Sequence, residues 1–279
     1  MEPKLFIVKA NGERELFDIK KLETSLRRAG ADDQAVREIA IQVRNEMNDG
    51  ISTTTIYKKA FSLLKKRDKI VASKYSVRRA ILDLGPNGFP FEDFVGEIFR
   101  AKGYNVEVGK MVNGRCVLHE MDVVAQNDKE VAMCEIKFHN DTGLKSDLKT
   151  ALYVKARFDD IEAGNFYDIF DKKKKIRRNL ITNTKFSSQA IQYSNCVGLN
   201  LIGWNYPSKG NLEDLIAETK LHPITCLNSL TKKEKQEFLN QGIVLCRDIV
   251  GGKENILKTA DISEMRAKKV LAEAINICK

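Results

Sequence analysis

Residues 85–90 read Gly-Pro-Asn-Gly-Phe-Pro, and this run concentrates glycine and proline where a helix or strand is least able to continue. Before the run, a short alternating stretch is followed by helical periodicity. After it, helices alternate with strands. The run therefore predicts a domain boundary, and a chain of 279 residues has room for two domains or three small ones. We expect domains at residues 1–88, 89–207 and 208–279.

The composition predicts a folded protein with a polyanionic partner. Hydrophobic residues make up 43% of the chain and charged residues 30%, which is too apolar for general disorder. The 47 Lys and Arg residues outnumber the 38 Asp and Glu residues, so the formal charge is +9. A positive excess suits a polyanionic partner such as nucleic acid, although many basic proteins bind none.

The sequence contains no run of about 18 uncharged apolar residues, which is the length that a membrane span requires. Its first residues lack the basic and then apolar order of a signal peptide. We therefore expect a cytoplasmic protein without a membrane partner. The six cysteines are scattered without any Cys-x-x-Cys pair, which disfavours zinc ribbons and thioredoxin-type chemistry.

The first 84 residues have the pattern of a β-hairpin followed by four helices. Residues 5–9 alternate as a strand, Asn11 and Gly12 form the turn, and residues 15–17 return. Apolar residues then recur at helical spacing in four segments, and the last segment covers about residues 70–84.

Residues 91–207 have the pattern of an αβββαβ core. A first helix ends at Gly103, three strands follow, and a second helix covers about residues 144–158. Two more buried strands, at residues 180–182 and 199–204, enclose a further helix. From about residue 211 the chain is again helical. The sequence thus predicts an α/β core followed by a small helical domain.

A pair of charges interrupts the third predicted strand. Glu135 and Lys137 lie in an otherwise apolar run, residues 131–138, where burying a charge pair is costly. Residues two apart in a strand face the same way, so both side chains project together.

The preceding strand brings a second acid to this pair. Antiparallel pairing through a turn at residues 127–129 puts Asp122 opposite about residue 134, beside Glu135. Two carboxylates can hold Mg²⁺ or Mn²⁺, and a lysine can stabilise the charge that develops on a phosphate during hydrolysis. An ordinary cross-strand ion pair is the alternative.

These residues and their surroundings resemble the PD-(D/E)xK nucleases, specifically the Mrr-like restriction endonucleases, over about residues 89–207. The resemblance is carried by Phe91 and Glu92, Gly103 and Tyr104, His119 to Asp122, Glu135 to Lys137, and Thr182 to Phe186 with Trp204. It implies that Asp122 and Glu135 ligate the metal ion and that Lys137 is the catalytic lysine. Glu92 would be an accessory acid. Glu97 is the alternative, but Glu92 lies nearer the apolar stripe of its helix.

One face of the helix predicted at residues 144–158 resembles the edge of a nuclease that grips the DNA backbone. Its residues recur at steps of four: Lys145, Lys149, Tyr153 and Arg157. A solvated helix face is the alternative. His119 and His139 flank the two strands, and packing or hydrogen bonding explains them better than proton transfer does.

The first domain resembles an ATP-cone, the adenine-nucleotide-sensing module of ribonucleotide reductases and of the repressor of their genes. The resemblance spans about residues 4–84 and is carried by Val8, Lys9, Gly12, Glu15, Asp18, Lys21, Thr53, Ile56, Tyr75, Arg78 and Arg79. It implies that ATP or dATP binds at Lys9, Glu15, Lys21 and Thr53. The sequence has no Gly-x-x-x-x-Gly-Lys-Thr loop, so we expect the nucleotide to regulate rather than to drive a motor.

Residues 221–279 resemble a degenerate pair of helix-hairpin-helix units, with breaks at residues 241–243 and 261–263. A helical packing or dimerisation domain is the alternative. Together, these features predict a homo-oligomeric, Mg²⁺-dependent DNA endonuclease that adenine nucleotide regulates, in restriction or repair. The alternatives are a nucleotide-responsive DNA-binding regulator with a silent nuclease fold, and a resolvase of branched DNA.

Overall fold

A computed structural model of the chain describes residues 5–10, 12–166, 170, 173–250 and 262–278. The chain divides into two units, of which one joins Met1–Asp83 to His222–Lys279 and the other is Leu84–Leu221. The mixed α/β and α fold class predicted from the sequence is confirmed. The division into three domains with boundaries after residues 88 and 207 stays a prediction.

The N-terminal part of the first unit is a small sheet with helices around it. The sheet has the order β2-β1-β3, in which β1 pairs antiparallel with β2 and parallel with β3. Its elements are β1 Phe6–Val8, β2 Arg14–Leu16, α1 Ile19–Arg28, α2 Asp33–Asn45, β3 Ile51–Ser52, α3 Thr53–Arg67, α4 Lys69–Tyr75 and α5 Val77–Leu82. The helices enclose a core of aliphatic side chains that includes Leu26, Val36, Val43, Ala60 and Leu64.

Local side-chain caps explain where these helices begin. Asp18, Asp32, Ser52 and Asp68 each accept a hydrogen bond from a backbone N–H of the first turn of α1, α2, α3 and α4. The predicted hairpin is confirmed, although Asn11 of its turn lies outside the described residues. The predicted count of four helices is wrong. The last one is two helices divided at Ser76, and the two-residue strand β3 was not predicted.

The second unit is a five-stranded sheet between layers of helices. The sheet has the order β10-β8-β6-β5-β4, with β4, β5 and β6 antiparallel and β6, β8 and β10 parallel. Its elements are α6 Phe89–Ala101, β4 Asn105–Asn113, β5 Leu118–Gln126, β6 Glu130–Lys137, β7 Lys145–Ser146, α7 Leu148–Ala163, β8 Lys175–Thr182, β9 Lys185–Phe186, α8 Ser188–Val197, β10 Asn200–Ile202 and α9 Leu212–Thr219. The αβββαβ order expected for a restriction-endonuclease-like core is confirmed.

Apolar faces on both sides of this sheet hold the helices in place. One face packs against α7 and α8 through buried side chains such as Met133, Val154, Phe158 and Leu180. Helix α6 contacts β4 and β5. Its inward residues are fully buried: Phe91, Phe94, Val95 and Ile98. Removing this much apolar surface from water is the main stabilising contribution to the core.

The C-terminal part of the first unit is helical, as predicted. It contains a short 3₁₀ turn, Ile224–Cys226, followed by α10 Lys232–Asn240, α11 Cys246–Val250 and α12 Glu264–Cys278. The predicted break at residues 241–243 is present, with Gly242 at φ +73°, while the break at 261–263 lies partly outside the described residues. Helix α12 contacts α4, and the Glu273 carboxylate accepts hydrogen bonds from the Asn228 and Ser229 backbones. The helix-hairpin-helix resemblance stays a prediction.

None of the helices in the described residues is long and apolar enough to cross a membrane.

Candidate active site

The hairpin of β5 and β6 brings the predicted acids together. The Asn127 side chain accepts hydrogen bonds from the Lys129 and Glu130 N–H groups and closes the turn. The ladder ends at Val123 opposite Cys134. Asp122 is thus level with Glu135, one residue further along than predicted.

Beyond the last backbone pair of β5 and β6, the Asp122 carboxylate takes the place of a backbone carbonyl as hydrogen-bond acceptor. Its Oδ2 accepts a hydrogen bond of 2.5 Å from the Ile136 N–H group. On the other side, Asp122 lies opposite Gly109 of β4, between the pairs Val108–Val123 and Lys110–Met121. Gly109 has φ +65°, a left-handed conformation that favours glycine, so the edge strand also departs from regular geometry beside this acid.

Three carboxylates crowd into this place, and burial is the main reason that the pKa of each is raised. Burial and the nearby Asp122 charge raise the pKa of Glu135 to about 7, and the same two causes raise the pKa of Glu92 to about 7. Burial also raises the pKa of Asp122, against the opposing effect of the Ile136 N–H group and Arg157. Glu92, in the first turn of α6, interacts electrostatically with Asp122 and with Glu135, so the accessory acid favoured by the sequence lies close to the pair. Glu97 instead forms an ion pair with Arg100 at 2.6 Å.

One further acid of the cluster was not predicted. The Glu120 charge contributes to the raised pKa of both Glu92 and Asp122. Glu120 precedes Asp122 by two residues in β5, so the period of two in a strand was a signal that could have found it.

Arg157 lies inside the cluster, where it pairs with Glu135, and its predicted contact with the DNA backbone stays a prediction. Its Nη1 is 2.5 Å from Glu135 Oε1, and its Nη2 donates to the Glu120 carbonyl oxygen. Both ion-pair partners are only 14% exposed. Arg157 follows Lys149 and Tyr153 on the helix at steps of four, but α7 packs on the sheet at this point, so the long Arg157 side chain reaches the strands.

The residues present fit a Mg²⁺ ion held by two carboxylates. Glu135 Oε2 is buried and has no hydrogen-bond partner, so a lone-pair site is open on the acid expected to ligate the metal. No group of three or more His, Cys, Asp or Glu side chains within the described ranges is arranged to hold a metal ion. Mg²⁺ is usually bound by one or two carboxylates plus water and substrate phosphate, so Asp122 and Glu135 are sufficient.

Lys137 and Glu135 both line a surface cleft beside the carboxylate cluster. Lys137 is exposed at the end of β6, on the same face of the strand as Glu135. The cleft is lined by Glu135, Lys137, Lys149, Thr150, Tyr153, Val154 and Leu180. Two of the predicted DNA contacts, Lys149 and Tyr153, therefore line the same space as Lys137.

The fourth predicted contact, Lys145, lies elsewhere. The helix predicted to start at residue 144 begins at Leu148, because Asp147 caps it by accepting from the Thr150 N–H group at 3.0 Å. Lys145 is on the short strand β7, which pairs with β9. Its step of four from Lys149 is therefore not a shared helix face.

The two histidines are hydrogen-bonded, the explanation favoured from the sequence. His119 Nε2 lies 2.7 Å from Asp160 Oδ2, and His139 Nε2 lies 3.0 Å from Ser146 Oγ. Burial lowers the pKa of His139.

The predicted nucleotide ligands of the first unit also come together. The Lys9 and Lys21 ammonium groups both contact the Glu15 carboxylate and hold its pKa down at about 2. Strand β1 pairs with β3 so that Val8 is opposite Ser52, which puts the next residues, Lys9 and Thr53, at the same edge. Thr53 is also the first residue of α3, where unpaired backbone N–H groups favour an anion.

The crowding of acids should lower the stability of the protein when no metal is bound. Because the pKa of Glu92 is raised in the fold, its charge destabilises the native state increasingly as pH rises from about 4.5 to above 7. Glu92→Gln in EDTA should therefore gain about 1 kcal/mol at pH 8, allowing for partial exposure, or about 2–4 °C in Tm. Thermal melting at pH 5 and pH 8 tests this. An unchanged or lower Tm at pH 8, or an equal gain for the exposed control Glu107→Gln, would contradict it.

Comparisons with known proteins match the N-terminal and C-terminal parts of the chain to two domain families. A family model of the ATP cone domain matches residues 5–84, and a model of the AF1548-like C-terminal domain matches residues 222–278. The ATP-cone predicted from the sequence is therefore confirmed, and it supports nucleotide binding.

Two relatives match most of their own length to this chain. An uncharacterized protein of Archaeoglobus fulgidus is 38% identical over 180 residues, which is 64% of this chain and 97% of the relative. The crystal structure of the protein of unknown function AF1548 is 36% identical with a TM-score of 0.56, and covers 69% of this chain and 98% of its own. The MspJI restriction endonuclease, solved in complex with a 27-mer oligonucleotide, is 13% identical with a TM-score of 0.33 over 72% of this chain and 39% of its own. From the identity and coverage of the first relative, the chain belongs to the AF1548-like family, here combined with an ATP-cone.

Proposed function

We propose that this protein is a Mg²⁺- or Mn²⁺-dependent DNA endonuclease whose activity ATP or dATP regulates. The observation that carries the proposal is the convergence of Asp122, Glu135 and Glu92, half-buried and mutually repelling, beside Lys137 at a cleft. Such a cluster has a chemical use when a cation and a phosphate join it.

The chain's own residues divide the work of phosphodiester hydrolysis. Asp122 and Glu135 would hold the metal ion, which supplies positive charge for the developing phosphate charge and lowers the pKa of a bound water. Glu92 is the accessory acid beside them. Arg157 fixes one oxygen of Glu135 and leaves the other open. Lys137 places an ammonium group at the scissile phosphate.

Lys149 and Tyr153, on the wall of the cleft, would bind the DNA backbone. Lys149 and Tyr153 are exposed along the cleft that contains Lys137. An ammonium group and a phenol hydroxyl both suit phosphate oxygens and carry no sequence information. We therefore assign Lys149 and Tyr153 to positioning the DNA strand. The enzyme would act in restriction or in repair.

The alternative of a silent nuclease fold is disfavoured by the electrostatics. A protein that only binds DNA has no use for three half-buried acids with raised pKa values, since ionising them at neutral pH destabilises the fold. The proposal is tested by incubating the protein with supercoiled, linear, methylated and branched DNA, with Mg²⁺ or Mn²⁺ and with or without ATP or dATP. Cleavage of the branched substrate alone would favour the resolvase.

Nucleotide should bind at the lysines that contact Glu15. Lys21→Gln should weaken ATP or dATP binding by about tenfold or more, because a charge-assisted hydrogen bond to phosphate contributes about 1.5–3 kcal/mol. Calorimetry on the full chain measures this. Lys20→Gln, an exposed neighbour on the same helix, is the matched control and should bind normally.

Regulation should follow from this binding without hydrolysis of the nucleotide. The coupling between nucleotide and DNA should be about 1–3 kcal/mol and reciprocal, and we propose that it acts through a change in a homo-oligomer. Sedimentation with and without ATP tests the assembly. No heat at millimolar nucleotide, or equal losses for the Lys20 and Lys21 variants, would contradict the nucleotide site.

A further inference from the structure

Three consecutive helices carry a net positive charge almost as large as that of the whole chain. Residues 53–82, which contain α3, α4 and α5, carry nine Lys or Arg residues and one Asp, a net charge of +8. The whole chain has a net charge of +9, so the other parts together contribute +1. The ATP-cone helices therefore carry a large unbalanced charge, while the rest of the chain is nearly balanced in sum and has a second basic run at residues 172–178.

Helix α3 shows how these charges are arranged. It has five Lys or Arg residues and no acid among its 15 residues. Ile56, Ala60 and Leu64 form its buried face. Lys58, Lys65 and Lys66 are exposed at steps of seven and eight, so they share the opposite, solvent-facing side.

Two of the five cations of α3 form salt bridges and three do not. Lys59 pairs with Glu46 at 3.4 Å, and Arg67 pairs with Glu38. Within the part of the chain that the structure describes, Lys58, Lys65 and Lys66 form no salt bridge with a carboxylate. Lys65 lies 6.0 Å from the centre of the Phe61 ring, and that contact leaves the ammonium charge uncompensated.

We propose that the exposed face of α3, formed by Lys58, Lys65 and Lys66, binds the phosphate backbone of duplex DNA. The choice of DNA rests on the proposed nuclease function. At a rise of about 1.5 Å per residue the three ammonium groups extend over about 12 Å of helix. B-DNA presents one phosphate charge for about every 1.7 Å of its axis, so all three can meet phosphates of one duplex. The exposed Ser62 hydroxyl between them is a further donor.

This surface is separate from the nucleotide cluster of the same unit. The nucleotide cluster is formed by Lys9, Glu15 and Lys21, with Thr53 at the first residue of α3, while the three lysines lie on the second to fourth turns. The surface would bind DNA without sequence preference and without metal. It would give the enzyme a hold on DNA that is independent of the cleavage cleft.

The test is DNA binding in EDTA by the full chain, measured by fluorescence anisotropy with a short random duplex. The triple variant Lys58→Gln, Lys65→Gln and Lys66→Gln should bind about tenfold or more weakly at about 0.1 M salt. Its salt slope should fall by about three, because about one counterion is released per phosphate contact. The matched control replaces Lys209, Lys232 and Lys233, also exposed, by Gln and loses the same charge. It should keep wild-type affinity.

Thermal melting and ATP binding should be unchanged in both variants, which shows that they are folded. In the wild-type chain, DNA should also protect Lys58, Lys65 and Lys66 from acetylation, a readout that needs no variant. Equal weakening in both triple variants, or wild-type affinity in the α3 variant, would overturn the surface. If the triple α3 variant lost binding to anionic lipid vesicles but bound DNA like the wild type, the proposed DNA surface would also be overturned. If the α3 surface is overturned but the wild-type protein still cleaves DNA with metal, the proposed nuclease stands. If the α3 surface binds DNA as expected but the wild-type protein cleaves none, the nuclease alone is overturned.

Discussion

Asp122→Asn and Glu135→Gln should each lower the rate of DNA cleavage by about 10³-fold or more, with DNA binding in EDTA retained. Both changes keep the size of the side chain and remove the charge that would hold the metal ion. The loss should appear in kcat rather than in KM, since these acids are not proposed to touch DNA without the metal. Single-turnover cleavage with saturating enzyme measures it.

The matched control for Asp122 is Asp128→Asn, an exposed carboxylate in the turn of the same hairpin. It should cleave at the wild-type rate. Calorimetry with Mn²⁺ supplies a second readout, because the Asp122 and Glu135 variants should bind the ion more weakly whether or not DNA is present. Retention of more than about a tenth of the activity by either variant would remove that residue from the metal site.

Lys137→Ala should lower the cleavage rate by about 10³-fold, which effectively abolishes cleavage, while leaving Mn²⁺ binding near normal. Lys137 is exposed at the mouth of the cleft and has its role only when charge develops on the phosphate. Lys149→Ala should instead weaken DNA binding and lower the salt slope by about one, with much of kcat retained. Equal losses of kcat for both variants, with DNA affinity intact, would show that the two lysines do not have these separate roles.

The parts of the site that could be predicted are those that local sequence determines. Apolar runs define β5 and β6, and Asn127 accepts the side-chain hydrogen bonds of the turn between them. A hairpin needs no long-range assumption, so Asp122 and Glu135 could be placed together to within one residue. The amphipathic pattern of α6 likewise favoured Glu92 over Glu97.

The parts that could not be predicted depend on packing between distant elements. Periodicity placed Arg157 on a helix face but could not show that α7 packs against β6, where Glu135 attracts its guanidinium group. Lys145 was assigned to the helix because apolar periodicity alone does not fix where a helix starts, although Asp147, a preferred N-cap residue, was a signal for the observed start. Strand β3 has two residues and is defined only by pairing with β1, more than 40 residues away.

The most direct test of the metal-dependent nuclease is cleavage of supercoiled plasmid by the full chain, followed on a gel with Mg²⁺ and with EDTA. The wild-type protein should produce nicked or linear DNA in Mg²⁺ and none in EDTA, and the double variant Asp122→Asn, Glu135→Gln should produce none in either. Equal cleavage in EDTA, or cleavage by the double variant at the wild-type rate, would contradict the assignment of these two carboxylates to a catalytic metal ion.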